Sequence, residues 1–275
     1  MHVMNRFLTR ACAAAAAGVA LSILAVTGAS ASGGGGVTIH RGAISPAGLV
    51  AGHGGAVWPA SKDHAFGRIT AATTNSRTFA GYQTAVRAGS ATVATATFTV
   101  PTLTCTTADR AIAADVGVLV NNYKTASLAG VITGCANGTA VYYPSVVVNG
   151  TETDYTTTPI AAGDVITVTT KVSVNRTRVQ VTDVTTGVTQ KIIGAGARAS
   201  AAFIGNDALF TSSGALLHVP DFGKVTFKSC LIDGKTLASW RPQAYQRVNS
   251  IGRLQISTGG LWPSGTAFST HFQHS

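Results

Sequence analysis

Ile160 to Asp183 reads IAAGDVITVTTKVSVNRTRVQVTD. Ile166, Val168, Val172, Val174, Val179 and Val181 alternate with Thr, Lys, Ser, Arg and Gln on either side of a short break. A period of two puts the apolar set on one face of a pleated strand and the polar set on the other. Asn175-Arg176 falls between the two runs, and Asn tolerates the left-handed backbone of hairpin turns. The stretch predicts a long hairpin with one buried and one wet face. Beyond the N-terminus no window carries an equally clear helical period, so the chain reads as all-β.

Outward from this hairpin, runs at 78–86, 91–101, 112–120, 127–133 and 139–148 predict strands on its N-terminal side, the last ended by Asn149-Gly150. On its C-terminal side come 188–193, 201–204, 216–219, 224–231 and 267–272, with Thr185-Thr186-Gly187 as the turn after the hairpin. About a dozen strands divided by Gly, Asn and Pro predict two packed antiparallel sheets in one large sandwich. Residues 232–266 give no clear pattern. At the start, Arg6 and Arg10 precede an apolar run that ends at Ala29-Ser30-Ala31. That is the pattern of a secretory signal covering residues 1–31, short and Ala-rich for a membrane anchor. Residues 32–75, opening on four glycines, read as a poorly ordered linker or pro-like arm with Trp58 as its one large anchor. The folded domain spans 76–275.

Charged residues make up only 11% of the chain, which favours strands and turns over solvated helices. The formal charge of +10 falls to +8 once Arg6 and Arg10 leave, 18 basic residues then facing 10 acidic ones. Such an excess suits polyanions. The basic residues stand singly, however, without interleaved aromatics, so nucleic acid is not an expected partner. Removing Cys12 with the signal leaves Cys105, Cys135 and Cys230; export permits one disulfide, and spacing does not choose the pair. With no CxxC, and with His271 and His274 alone in a terminal tail, no metal or cofactor is expected. A serine hydrolase finds no G-x-S-x-G string.

Five strings resemble those of the glutamic peptidases, or eqolisins: TFAGY (78–82), TATFTVP (95–101), IAAGDVITV (160–168), DVTTG (183–187) and DFGKVTF (221–227). Their order and spacing agree over about 200 residues. The resemblance implies a lectin-like, concanavalin A-like sandwich of two antiparallel β-sheets whose concave face is the substrate cleft. It also implies a Cys105–Cys135 disulfide, with Cys230 left as a small buried hydrophobe.

Glutamic peptidases hydrolyse peptide bonds with a Glu that moves protons and a Gln that orients water and donates to the oxyanion. Here Leu128-Ala129-Gly130 stands at the family's Q-T/A-G string, which puts Leu128 at the Gln. Ala201-Ala202-Phe203-Ile204-Gly205-Asn206 stands at A-E-x-I-x-E, which puts Asn206 at the Glu. Ser145 and Val147 take the places of a cleft Trp and Glu, and Asp115 and Leu119 those of another Trp and an Asp. The only glutamate in the chain is Glu152, beside the Asn149-Gly150 turn. Matched in this way, the resemblance implies a cleft lined by Leu128, Ser145, Val147 and Asn206, turned apolar and without its catalytic pair. The expected protein is an extracellular, monomeric, non-catalytic relative that binds a peptide or polysaccharide or serves structurally, with no membrane contact after signal removal. The alternative is an acid endopeptidase that uses Asp115 and Asp207 as relocated carboxylates. Against it, strand alternation predicts that Asp207 points away from the cleft if Asn206 points in.

Overall fold

The computed structural model describes residues 39–40, 73–106, 110–211 and 216–274. The signal expected at 1–31 and most of the arm, Trp58 included, lie outside them. In chain order the strands are β1 (Ile39–His40), β2 (Thr74–Ser76), β3 (Phe79–Ala85), β4 (Thr92–Thr99), β5 (Arg110–Val120) and β6 (Thr125–Ala136). There follow β7 (Thr139–Val148), β8 (Thr151–Asp154), β9 (Val165–Val172), β10 (Arg176–Asp183), β11 (Thr189–Ala195) and β12 (Ala199–Ala208). The last are β13 (Phe210–Thr211), β14 (Lys224–Ile232), β15 (Lys235–Thr236), β16 (Gln243–Val248), β17 (Leu254–Thr258) and β18 (Phe268–Phe272). One 3-10 turn, Leu237–Trp240, interrupts them. No helix among the described residues is long and apolar enough to cross a membrane.

Hydrogen bonding runs through one path, β11-β10-β9-β4-β14-β18-β17-β16-β3-β12-β5-β6-β7-β8, antiparallel throughout; β2 joins β16 in parallel from the side. The path curls so that β5 and β6 pack across β9, giving a back layer around β9 and a front layer around β5. Between the layers lies the main core, where Ile166, Val168, Val179 and Val181 of the hairpin meet Val116, Val118, Ala129 and Val131. The predicted sandwich is present, built from one curled sheet rather than two separate ones.

The deciding hairpin forms as predicted, with Val172 opposite Thr177 and Ile166 opposite Asp183. Its turn sits one residue earlier than expected. Ser173 and Arg176 exchange backbone hydrogen bonds of 3.0 and 3.3 Å, which makes Val174-Asn175 the central pair. Asn149-Gly150 does carry the left-handed turn, at φ 51° and 89°. Strands β6 and β12 run well beyond their predicted 127–133 and 201–204. Both are buried on two faces and rich in Ala and Gly, so the alternation that marks a half-wet strand is missing. Residues 216–219 form only isolated bridges, Phe210 to Leu216 and Arg110 to His218, not a strand. The unpatterned stretch holds β16 and β17, and two residues of the arm, Ile39–His40, pair antiparallel with Phe210–Thr211.

Candidate functional site

The front sheet turns one face to the main core and the other away from it, and the central side chains of that second face are buried as well. Register sorts its residues, because directly opposed residues share a face. One outward row crosses six strands as Gln83, Phe203, Gly117, Leu128, Val147 and Glu152. The next reads Gly81, Gly205, Asp115, Gly130, Ser145 and Asp154, and a third begins Phe79, Asp207, Ala113, Ile132 and Tyr143.

The middle of the first row, between Gln83 and Glu152, belongs to an apolar pad. Leu128, Phe203, Phe79 and Val147 form one buried cluster with Leu119 and Tyr245. The Phe79 and Phe203 rings meet edge to face at 5.8 Å, an arrangement the ring quadrupoles favour. Gly117 makes room for this, since a Cβ there would strike both the Phe203 ring and the Leu128 Cβ. The second row is a polar trough. The Asp115 carboxylate lies over Gly130, whose missing side chain would collide with the Asp115 Oδ1 and the Ala114 carbonyl. Farther along, the Ser145 hydroxyl donates to Glu152 Oε1 at 3.0 Å. Asp115 and Ser145 are fully buried.

In the third row Asp207 is buried beside a buried cation. Arg247 of β16 donates from Nη2 to the Leu217 carbonyl at 3.0 Å. Burial lowers its pKa to about 10, and the negative charge of Asp207 works against that fall. Asp115 is opposite Gly205, and Asp207 is two residues further along β12. The two acids are therefore diagonal cross-strand neighbours, with Cα atoms about 7–8 Å apart for such pairs.

Asn206 is on the other side. It faces the core, accepts a hydrogen bond from the Thr270 hydroxyl at 2.5 Å, and reaches the Ala113 carbonyl from Nδ2 at 3.5 Å. The face thus unites Leu128, Ser145 and Val147 with Asp115 and Asp207, and leaves out Asn206. Two expectations are corrected. Asp207 does not point away from Leu128; Asn206 does. The groove is not uniformly apolar either, because a row carrying Asp115, Ser145 and Asp154 runs beside the pad. Glu152, given no role from sequence, is on the same face. The two-residue Asn149-Gly150 turn was the signal, since it forces Glu152 opposite Val147. Among the described residues no three His, Cys, Asp or Glu side chains are grouped to hold a metal ion.

Cys105 and Cys135 are joined, with Cα atoms 5.5 Å apart, and Cys230 is free and buried. This is the pairing implied by the family resemblance. A profile described as the peptidase A4 family matches residues 77–257. The chain belongs to that family.

Solved structures of peptidase A4 enzymes share the fold. Scytalido-glutamic peptidase with a transition state analog inhibitor superposes with a TM-score of 0.57 at 17% identity, over 72% of this chain and 98% of that one. SCP-B, an eqolisin in complex with the tripeptide Ala-Ile-His, gives 0.55 at 19% identity over the same shares. Aspergilloglutamic peptidase from Aspergillus niger gives 0.50 at 21%, over 60% of this chain and 99% of that one. No curated protein matches the sequence. The match covers β3 through most of β17, so the outward rows fall inside the shared peptidase A4 domain.

Proposed function

We propose that the protein is an exported member of the peptidase A4 family that no longer cleaves peptide bonds and instead holds a peptide or glycan segment on the outward face of its front sheet. The observation that carries this reading is Leu128, buried among Phe79, Phe203 and Val147 at the position the resemblance gives to the catalytic amide. The nearest amide in its row, Gln83 (with Gln243 one strand beyond it), is three strands away. At the usual strand spacing that is about 14 Å, too far to share a water with a group beside Leu128. Losing a positioned oxyanion donor lowers rates about 10²- to 10³-fold. The central side chains of this face, Leu128, Phe203 and Asp115 among them, are buried, so the segment would meet the face at its half-buried edge, where Tyr123, Tyr143, Glu152 and Asp154 lie. The predicted signal and the disulfide favour an extracellular setting.

One observation favours a second reading, acid endopeptidase activity from Asp115 and Asp207, namely that the two share a face. Against it, Asp207 lies near the Arg247 cation as well as Asp115, and an opposite charge favours the ionised form of an acid over one that shares a proton. Digestion of an unfolded protein substrate by the mature chain, scanned from about pH 2 to pH 7, separates the readings. The expected result is no cleavage above a heat-inactivated control. Cleavage abolished by Asp115→Asn or Asp207→Asn establishes the second reading, and cleavage abolished by Asn206→Ala overturns both.

A further inference from the structure

The outer face of the back sheet gathers basic residues that are scattered in sequence. Register across β11, β10, β9, β4 and β14 gives a row Thr189, Thr182, Thr167, Thr97, Lys228. Beside it run Lys191, Gln180, Thr169, Thr95, Leu231 and then Ile193, Arg178, Lys171, Val93. Arg176 is next to this block on β10 and Lys224 on β14. None of these side chains is a carboxylate or an aromatic ring, although the Asp233 carboxylate meets the end of the third row by accepting from the Val93 N–H at 2.6 Å. Lys171 is directly opposite Arg178, and like charges so placed destabilise a sheet. The arrangement makes sense if an anion occupies the face.

The polar groups are already ordered. Arg178 Nη2 donates to Gln180 Oε1 at 2.8 Å, and Gln180 Nε2 donates to the Thr182 hydroxyl at 3.1 Å. The Thr182 hydroxyl is 3.0 Å from that of Thr189, and Thr97 is 2.9 Å from Thr167. A chain of side-chain hydrogen bonds thus fixes the guanidinium at one end and hydroxyls at the other, so little rotamer freedom remains to be lost on binding.

We propose that this back face is a binding site for an acidic polysaccharide, its carboxylates set against Arg178, Lys171 and Lys191 and its ring hydroxyls against the threonine rows. The site is on the opposite side of the molecule from the Leu128 pad and does not depend on what that pad does. A single-stranded nucleic acid is the less suited polyanion, because its bases need aromatic platforms that these rows lack.

The mature chain titrated into polygalacturonate at low salt tests the proposal, with dextran, a polyol phosphate and single-stranded DNA as comparison polymers. Polygalacturonate is expected to bind most tightly and to weaken as salt rises, and dextran not to bind. The double variant Lys171→Glu, Arg178→Glu is expected to weaken binding about tenfold or more, by reversing charge at the site. Reversing two exposed cations elsewhere, Arg87→Glu and Arg253→Glu, changes the net charge equally and is expected to shift affinity less than about twofold. The milder Lys171→Gln, Arg178→Gln pair is expected to weaken binding without lowering the thermal midpoint, since it removes a repulsion. Equal weakening by the control pair, tighter binding of DNA or polyol phosphate, or no binding of polygalacturonate would overturn the proposal.

Discussion

Arg247 is the residue on which the front face depends most. Its guanidinium is fully buried, held by the Leu217 carbonyl and facing the charge of Asp207. Deleting one of two buried opposite charges leaves the other dry and uncompensated, whereas replacing both by apolar groups is often close to neutral. Arg247→Met is therefore predicted to lower the urea midpoint sharply, and Arg247→Met with Asp207→Leu to recover most of the loss. Equal destabilisation by the single and double variants would show that packing, not charge, is what matters there. Cys230 gives a second prediction at this scale. Burial pushes its thiol up to about 12 from an ordinary value of 9.0. A raised folded-state pKa stabilises fully below the unfolded value and loses that contribution as pH climbs from about 9 towards 12. The gap in urea midpoint between the wild type and Cys230→Ala should accordingly narrow between pH 8 and pH 10.5, roughly the lower half of that window. A gap that stays constant or widens would contradict the burial of the thiol.

Among the elements, the β9–β10 hairpin and the turn after it show what was legible from residues alone. In β9 and β10 one face is wet, so alternation was visible and register followed from it. The Asp183-Val184-Thr185-Thr186-Gly187 string announced its turn for a local reason. The Asp183 carboxylate accepts from the backbone N–H groups of Thr185 and Thr186 and from the Thr186 hydroxyl, at 2.9, 3.3 and 2.6 Å. Hydrogen bonds to a charged group are worth about 1.5–3 kcal/mol each, with strong overlap among bonds to one carboxylate. Asp183→Ala is predicted to destabilise the domain by about 2–4 kcal/mol, read from denaturant unfolding; a change within noise would mean that water replaces the carboxylate. In β5, β6 and β12 both faces are covered, so a string match alone had to assign faces. It put Asn206 in the groove, where β-pairing puts Asp207, because a one-residue offset exchanges the faces of a strand. The strands β16 and β17 escaped notice for another reason. QAYQRV and LQIST carry Gln and Arg at buried positions, and Arg247 in a core strand runs against the apolar pattern that signals one.

For the molecule as a whole, the sandwich has one covalent tie, and its position gives the last prediction. Cys105 follows β4, which lies between β9 and β14 in the back layer, and Cys135 is near the end of β6 in the front layer, 30 residues later. The bridge encloses all of β5 and most of β6, the strands that carry Asp115, Leu128 and Gly130. A loop of that length confers about 3–4 kcal/mol by restricting the unfolded chain. Such a term is a large fraction of a typical domain stability of about 5–15 kcal/mol. Cys105→Ser with Cys135→Ser is therefore predicted to lower the unfolding free energy by about that amount, while a refolded sample keeps its β-sheet circular dichroism. Reduction of the native wild type should release thiols without exposing Cys230, which reacts with a thiol reagent only when the core opens. If Cys230 is labelled as soon as the bridge is cut, the tie holds the two layers together rather than merely shortening the unfolded chain. Labelling of Cys230 only on full unfolding would instead leave the front layer intact without the bridge, where β5 and β6 pair residue by residue from Arg110 opposite Cys135 to Val120 opposite Thr125.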